Sequence, residues 1–429
     1  MRLAVAFSCC FMVILFFGCG HNSTPTPPAQ PQVNPAPLIL GQSFQKVTLS
    51  TQFYSEGVAV ADINRDGKLD IVSGPYWYAG PDFQTRFAYF QPVAFDPVSF
   101  SNDFLTFVYD FNHDGWPDIL VLNFPGQDAS WFENPQGKDQ LWVKHQVIDV
   151  VANESPTLID LNGDGIPELT YLASGGHPGW AAPDPADPAK PWVFHPIAPA
   201  SYTTLAHGWG VGDVNGDGRL DILEANGWWE QPASLANDPV WTFHPFNFGP
   251  GAQMWAVDID GDGLNDVVTS LNAHGFGLAW FQQIRQGQQI SFCKHLITND
   301  TAAPNRYGVA FSQPHAVVVA DIDGDGIPDI VTGKRHWAHG PNGDVDPNGP
   351  SVLYWFRTVR TSQGVDFVPQ LIDDNTGIGT QFFVGDVNGD GLPDIVVGDK
   401  LGTFFLQRKQ QLDPSTLQPQ SPLVTACQP

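Results

Sequence analysis

The sequence predicts an all-β protein: a seven-bladed β-propeller of four-stranded blades, closed by the N-terminal strand, which completes the last blade. An acidic loop recurs seven times at intervals of about 45 to 65 residues, the spacing typical of propeller blades. Each copy runs directly into a β-branched strand, such as Ile395-Val396-Val397 in the last copy. The chain also has 38 prolines and 43 glycines and no helical periodicity of useful length, which favours strands joined by many turns.

The acidic loops have the pattern Asp-x-Asx-x-Asp-Gly-x-x-Asp/Glu, with oxygen ligands at positions one, three, five and nine. Ca²⁺ takes six to eight oxygens, and glycine at position six allows the sharp turn around an ion. The motif therefore predicts up to seven structural Ca²⁺ ions. The predicted ligands are Asp62, Asn64, Asp66 and Asp70; Asp110, Asn112, Asp114 and Asp118; Asp160, Asn162, Asp164 and Glu168; Asp213, Asn215, Asp217 and Asp221; Asp258, Asp260, Asp262 and Asp266; Asp321, Asp323, Asp325 and Asp329; Asp386, Asn388, Asp390 and Asp394.

Two other interpretations of the loops fit less well. An EF-hand needs a glutamate at position twelve and helices on both sides, but Ser73 and Val397 stand there in the first and last copies, and the flanks are strand-like. Simple Asx-rich hairpin turns would account for one copy, but not for seven in register.

Three further segments recur between the loops, which predicts four strands per unit. An aromatic strand follows each loop strand, as in Tyr76-Trp77-Tyr78, and an outer strand comes next, expected at residues 87–93 in the first unit. Residues 44–49 resemble an outer strand but precede the first loop, whereas the seventh unit ends after its aromatic strand at Gln407. The N-terminal strand should therefore join the last blade and remove the open sheet edges. Histidines on outer strands are expected to face solvent; they are His145, His195, His244 and His295.

The N-terminus has the features of an export segment. Arg2 precedes an apolar run to Phe17, and Gly18-Cys19 follows, which resembles a bacterial lipoprotein signal with lipid added at Cys19. An ordinary signal peptide is the alternative, and a membrane-spanning helix is the least favoured because the run is short. The expected organisation is a signal over 1–19, a Pro-rich tether over 20–37, the propeller over 38–410 and a tail over 411–429. The mature protein would be membrane-anchored at the outer membrane, at the cell surface or in the periplasm.

The net charge and the cysteines limit the possible partners and the possible disulfides. The formal net charge is −26, and about half of the 45 acidic residues belong to the loops, so nucleic acid is an unfavourable partner. After loss of the signal and lipidation, Cys293 and Cys427 remain; their spacing does not decide between a disulfide and free thiols.

The loops with their strands, as in 58–72 and 383–397, resemble FG-GAP/VCBS repeats, the blade units of integrin α-subunit heads and of many bacterial surface proteins. This resemblance covers residues 44–407 and implies a seven-bladed propeller and Ca²⁺, without a specific activity. A narrower resemblance, carried by 333–340, 353–356 and 74–78, is to the propeller portion of aldos-2-ulose dehydratase, a sugar lyase. Members of that family add cupin domains, which this sequence does not include.

Polar residues are expected to converge at the mouth of a central channel. Aligned on the first aspartate of each loop, the position six residues upstream holds Glu56, Phe104, Glu154, His207, Ala252, His315 and Thr380. Two carboxylates and two imidazoles on one ring would suit a metal or an acid/base pair, with His336 near the same mouth. The catalytic candidates are therefore Glu56, Glu154, His207, His315 and His336. The alternative is that these residues only line a water-filled channel.

Three functions follow from these patterns. The favoured one is a Ca²⁺-stabilised surface module that binds or adheres to a protein or glycan. The second is a carbohydrate-active lyase or isomerase that uses the catalytic candidates. The third is a lectin with pockets between blades, in which Trp77 and Trp228 would stack on sugars.

Overall fold

The computed structural model describes residues 43–199 and 202–409. These residues form 28 β-strands and no α-helix, which confirms the all-β class. No helix among them is long and apolar enough to cross a membrane. All belong to a unit that spans 36–429; the other unit, 1–35, lies outside the described residues, as does the predicted lipidation site Cys19.

The strands follow one another as antiparallel meanders. They are β1 (Phe44–Ser50), β2 (Val58–Ala61), β3 (Asp70–Ser73), β4 (Tyr76–Ala79), β5 (Thr85–Ala88), β6 (Leu105–Tyr109), β7 (Asp118–Leu122), β8 (Gln127–Glu133), β9 (Val143–Val151), β10 (Thr157–Ile159), β11 (Glu168–Ala173), β12 (His177–Ala182), β13 (Val193–Pro196), β14 (Trp209–Gly212), β15 (Asp221–Glu224), β16 (Gly227–Glu230), β17 (Thr242–Pro245), β18 (Gln253–Val257), β19 (Asp266–Ser270), β20 (Leu278–Gln286), β21 (Gln289–Thr298), β22 (Val317–Ala320), β23 (Asp329–Gly333), β24 (Leu353–Thr361), β25 (Gly364–Asp373), β26 (Phe382–Gly385), β27 (Asp394–Asp399) and β28 (Gly402–Arg408). The outer strand of the first unit is thus 85–88, and not the predicted 87–93.

The described strands pair into five four-stranded sheets and one eight-stranded sheet. The eight-stranded sheet contains two antiparallel meanders, β14–β17 and β18–β21, joined where β14 and β18 run parallel through Trp209↔Gln253 and Gly210↔Met254. Glycine at position 210 lets the backbones of β14 and β18 come this close, because a Cβ there would lie 1.9 Å from the carbonyl oxygen of Met254. The arrangement is propeller-like, whereas the count of seven blades stays a prediction.

The two ends of the described chain meet in one sheet. Strand β1 pairs antiparallel with β28, from Phe44↔Arg408 to Ser50↔Thr403, so the last sheet has the order β1-β28-β27-β26. The prediction that the N-terminal strand completes the last sheet is confirmed. This pairing covers an edge of β28 that would otherwise be open to another chain.

The hydrophobic core lies between successive four-stranded units. Each cluster of buried residues contains side chains from two neighbouring units, and the cluster around Val58, Ile71 and Val396 joins the last unit to the first. The first strand of each unit is innermost, since these strands contact one another and six of them surround a cavity of about 440 Å³. Apolar residues dominate its wall, among them Leu105, Leu158, Val211, Trp255, Val318 and Phe383.

One cysteine falls within the described residues. Cys293 on β21 is disulfide-bonded. Cys427, whose pairing with Cys293 the sequence leaves open, lies outside the described residues.

Candidate functional site

The acidic loops connect the first and second strands of each four-stranded unit. Glycine at position six has a positive φ in every copy, from 81° at Gly326 to 90° at Gly165, where other residues would be strained. The first aspartate holds the turn together: Asp62 Oδ2 accepts the backbone N–H of Gly67 at 2.9 Å. The same bond occurs in all seven loops, so the seven share one backbone geometry.

Positions one, three and five bring oxygen atoms together. In the two loops that carry aspartate at all three positions, the ligand oxygens lie within 4.8 Å of one another. These loops are Asp258, Asp260 and Asp262, and Asp321, Asp323 and Asp325. Because adjacent carboxylates repel and Ca²⁺ prefers such oxygen ligands, these three positions fit the predicted ion.

The ninth residue has a role that the sequence did not predict. In the second loop, Asp118 is buried; its Oδ2 accepts the N–H of Phe111 at 3.0 Å and its Oδ1 accepts the N–H of Asn134 at 2.8 Å. Burial outweighs these bonds and raises the pKa of Asp118 to about 7. The ninth carboxylate therefore fastens the loop to the strands behind it. Burial likewise raises the pKa to about 6 for Asp70 and Asp394 and to about 7 for Glu168, Asp221, Asp266 and Asp329.

Two loops also hold an arginine against their ligand carboxylates. In the sixth loop the buried guanidinium of Arg357 contacts Asp323 and lies 2.9 Å from Asp325 Oδ2. In the fourth loop Arg219 contacts Asp217. A guanidinium competes with Ca²⁺ for the same oxygens, most strongly where it is buried, so the predicted ion sites are not equivalent.

A second group of polar side chains lies at the other end of the innermost strands. Glu56, Glu154, His207 and His315 stand two or three residues before the first residues of β2, β10, β14 and β22, as the sequence alignment predicted. Glu56 is fully buried, and His315 and Glu154 are only 3% and 9% exposed. Burial of this extent disagrees with the interpretation of these residues as a solvated channel lining.

Glu56 forms a buried ion pair that joins the first and sixth units. Its Oε1 accepts a hydrogen bond of 2.6 Å from Nη2 of Arg335, and both side chains are at most 2% exposed. The second oxygen, Oε2, has no hydrogen-bond partner. Burial lowers the pKa of the nearby Lys400 to about 8, although the charge of Glu56 acts in the opposite direction.

The remaining predicted residues form what we call the axial cluster: Glu154, His207, His274 and His315. Candidate ligand atoms of the three histidines lie within 4.8 Å of one another. Glu154 Oε2 lies 3.1 Å from His207 Nε2. His274 is new to this group; it follows β19 in the fifth unit, and its Nδ1 lies 3.3 Å from Asp344 Oδ1. His339 Nδ1 lies 3.0 Å from the same carboxylate oxygen, at the rim.

Burial and neighbouring charges lower the pKa of two of these imidazoles. Burial, together with the charge of Arg335 and the other histidines, places the pKa of His315 well below its usual range. Burial and His207 lower the pKa of His274 to about 4. For Glu154, burial acts to raise the pKa, but the contact with His207 and the charges of Arg335 and His274 outweigh it and lower the pKa.

The sequence and the structure agree only in part on this site. The structure brings Glu154, His207 and His315 together, but His336 does not join them: its Nδ1 lies 3.0 Å from Ser351 Oγ and its ring stacks on Trp337. The sequence did not indicate His274, His339 and Asp344, which lie in loops. The available signal was positional, since loops that follow the second strand of a unit return to this same end of the sheets.

Aromatic residues between strands serve mainly in packing. The outer-strand histidines were expected to face solvent, but each packs its ring against a tryptophan. The ring centroid of each histidine lies 4.0 to 4.5 Å from that of the tryptophan paired with it on the adjacent strand. Trp228 is only 2% exposed, so the expectation that it stacks on sugars at the surface is wrong. Trp77 is half-buried and, with Phe87 and Trp142, lines a cavity of about 350 Å³ between the first two sheets.

Comparison with known proteins identifies the repeats. The family model described as an FG-GAP-like repeat matches residues 110–170 and 258–332, and the FG-GAP repeat model matches 378–404. Five of the seven acidic loops begin within these ranges, so the chain contains FG-GAP repeats. The narrower resemblance to aldos-2-ulose dehydratase stays a prediction.

The chain is only weakly similar to individual known proteins. The chain is 28% identical over 199 residues to the protein linkin of Caenorhabditis elegans, a match that covers 44% of this chain and 30% of linkin. The chain thus spans less than a third of the length of that relative. Among known structures, BBS1N in complex with ARL6DN gives a TM-score of 0.49 at 9% identity, covering 89% of this chain and 98% of that one. An auxiliary nutrient binding protein from Bacteroides ovatus gives 0.43 at 10% identity, covering 72% and 70%.

Proposed function

We propose that this protein is an exported, Ca²⁺-stabilised, seven-bladed β-propeller that acts as a binding or adhesion module for a protein or glycan. The observation that carries the proposal is the common geometry of the acidic loops, which appears at the same place in every four-stranded unit. FG-GAP repeats support it, because such repeats form the blades of integrin heads and of bacterial surface proteins. A rigid platform of this kind presents its loops and its channel mouth to a partner.

The seven-blade interpretation is supported by strand order and by the core. Apart from the parallel contact of β14 with β18, strand pairing groups the strands into seven four-stranded sets, with β1 in the last. Each hydrophobic cluster joins neighbouring sets, including the last and the first. Diffraction from the purified protein tests this count: seven sectors around the axis agree with it, and any other number contradicts it.

Structural Ca²⁺ is tested by thermal unfolding with and without a chelator. Each ion that binds only the folded state adds RT ln(1 + [L]/Kd), about 2.7 kcal/mol when the free ion is at 100 times Kd. We expect EDTA to lower the melting temperature strongly and added Ca²⁺ to restore it. Asp262→Ala should weaken the Ca²⁺ response by one site, whereas His177→Ala, an exposed control, should leave it unchanged. An unchanged melting temperature in EDTA contradicts structural Ca²⁺.

Ligand binding is tested with the Ca²⁺-loaded protein on a glycan array and on extracellular-matrix proteins. Trp77→Ala removes the half-buried ring from the cavity between the first two sheets. Loss of glycan capture in this variant, with His177→Ala unaffected, would favour the lectin form of the proposal. Retained capture would place the ligand away from this cavity.

Export and anchoring through Cys19 are proposed from the N-terminal pattern alone. Metabolic labelling with a clickable fatty acid in a bacterial host should mark the wild-type chain and leave Cys19→Ser unlabelled. Label in the Cys19→Ser variant contradicts the assignment. Export without any label would instead support the ordinary signal peptide.

A second candidate function is a sugar lyase or isomerase, favoured by the axial cluster. Glu154, His207 and His315 are largely buried together, and burial lowers the pKa of His315, a perturbation of the kind that is common at functional sites. Turnover of a panel of keto-sugars, followed by ultraviolet absorbance, tests it. Activity that His315→Ala abolishes, in a variant with unchanged melting temperature, would establish the enzyme; no turnover by the wild type would favour the binding module.

A further inference from the structure

We propose that the cavity enclosed by the innermost strands, which we call the inner cavity, binds one small cationic amphiphile. The linear apolar chain of this ligand enters the cavity, and its cationic head group stays at the acidic mouth. The site is separate from the axial cluster, which lies at the other end of the same strands, and it goes beyond the protein or glycan partner proposed above. The inner cavity has a volume of about 440 Å³, within the range of sites for small molecules.

The wall of the inner cavity is largely apolar and is formed without a ligand. Of its nineteen lining residues, three have polar side chains: Thr157, Gln253 and Gln381. The indole of Trp255 is held in place, because its Nε1 donates a hydrogen bond of 2.8 Å to the carbonyl oxygen of Val317. Trp255 itself and other apolar wall residues are only half-buried. An apolar chain in the cavity would remove their exposed surface from water, which favours binding.

Two glutamines close the end of the inner cavity that faces the axial cluster. Gln253 Nε2 donates a hydrogen bond of 2.8 Å to the carbonyl oxygen of Thr380, and its Oε1 accepts the N–H of Val317 at 3.1 Å. Gln381 Oε1 accepts the N–H of Thr106 at 2.8 Å. These bonds join the fifth unit to the sixth and seventh, and the seventh unit to the second. Because both glutamines also line the cavity, they form its floor, and a ligand has to enter from the opposite end.

The open end of the inner cavity is surrounded by the acidic loops. The wall residues Ile159 and Ala320 end β10 and β22, and the first aspartate of a loop directly follows each of them. All seven loops begin in this way at the end of an innermost strand. Together the loops carry 23 acidic residues and three basic ones, so their formal charge stays negative even with seven bound Ca²⁺ ions. A cationic head group therefore suits this end, whereas an anionic one would be repelled.

The shape of the inner cavity favours a linear chain. In the sixth unit the five consecutive residues 316–320 all line it. At a rise of about 3.3 Å per residue, this wall gives the cavity a depth of about 13 Å. Since the innermost strands surround the space along this depth, the cavity accommodates an extended chain better than a broad, fused ring system.

The test uses the full chain in saturating Ca²⁺ and titrates it calorimetrically with alkyltrimethylammonium ions, below the concentrations at which they form micelles. We expect one ion to bind per chain. Its affinity should rise about fourfold for each methylene added between hexyl and decyl, because each buried methylene adds a similar increment of free energy. Octyltrimethylammonium should bind about tenfold more tightly than octanol, as a few exposed ion pairs allow, and octyl sulfate should bind most weakly. Added salt should reduce these differences between head groups.

A matched pair of variants tests the location of the site. Ala320 and Ala61 are the half-buried last residues of β22 and β2, but Ala320 lines the inner cavity and Ala61 does not. Ala320→Leu fills part of the cavity and should weaken octyltrimethylammonium binding at least about tenfold, whereas Ala61→Leu should leave it unchanged. The melting temperature of each variant in Ca²⁺ shows whether it folds. If Ala320→Leu does not fold, Val211→Thr replaces it; this change adds a hydroxyl to the wall at nearly constant volume and should weaken binding about threefold or more.

The proposal is overturned if the wild type binds none of the alkyltrimethylammonium ions, or if octanol or octyl sulfate binds as tightly as the cation. It is also overturned if the folded cavity variant binds as the wild type does. Uptake of many ions per chain without a saturable single site would equally contradict it, because that is the behaviour of an acidic surface and not of a cavity. None of these results decides whether the protein binds a protein or glycan, since the array experiment tests that separately.

Discussion

The buried ion pair between Glu56 and Arg335 gives the sharpest energetic prediction. Both side chains are at most 2% exposed, and the 2.6 Å contact joins segments of the first and sixth units. Arg335→Met keeps most of the volume but leaves a buried carboxylate without its partner. Breaking such a pair costs about 3–5 kcal/mol. The partly exposed pair of Lys46 and Asp373, 2.8 Å apart, is the comparison, and Lys46→Met should cost about 0–1 kcal/mol.

The assay is equilibrium urea unfolding in saturating Ca²⁺, with the free energy of unfolding taken by linear extrapolation. The double variant Glu56→Leu/Arg335→Met should be less destabilised than Arg335→Met alone, because neither charge of the pair then remains buried without the other. The reasoning is refuted if Arg335→Met and Lys46→Met differ by less than about 1 kcal/mol, the upper limit for a surface pair.

Three further predictions concern the loops and the sheets. Burial raises the pKa of the ninth-position acids to about 6 to 7, whereas the same acids have a pKa of about 4 in the unfolded chain. Between these values the Ca²⁺-free folded protein holds protons that the unfolded chain has released, so its stability should fall as the pH rises from about 4 to about 7, and Ca²⁺ should abolish this trend in melting curves. Gly210→Ala forces a Cβ to 1.9 Å from the Met254 carbonyl oxygen and should cost about 1–3 kcal/mol, whereas Gly385→Ala meets only a side chain and should cost less; equal urea midpoints would contradict this. Arg357→Met removes the guanidinium from Asp323 and Asp325, so calorimetry should show tighter Ca²⁺ binding at this loop. Unchanged binding would show that the guanidinium does not compete with Ca²⁺ for these carboxylates.

The sequence predicted those features that repeat. Loop spacing placed the first and second strands of every unit, and the unpaired outer-type segment at Phe44 correctly predicted its pairing with β28. The parallel contact at Gly210 was not predicted, because it depends on the separation of two backbones and not on a residue pattern. Trp228 was misplaced for a similar reason: an aromatic strand residue has the same sequence signal on a buried face as on an exposed one.

Alignment of the seven repeats predicted one part of the candidate site. Glu154, His207 and His315 share one alignment position and meet in space, whereas His274 and Asp344 lie in loops of unequal length that no repeat aligns. The sequence could not show that the acids at position nine anchor their loops. An aspartate that binds Ca²⁺ and one that is buried and accepts backbone hydrogen bonds look the same in a sequence. Only the contacts of a residue such as Asp118 separate the two.

The most direct test of the central proposal is the Ca²⁺ content of the purified chain after dialysis against buffered Ca²⁺, measured by mass spectrometry of the metal. The common loop geometry predicts several tightly held ions and no more than seven. A protein that retains no Ca²⁺ under these conditions would contradict the proposal that metal ions stabilise the sheets.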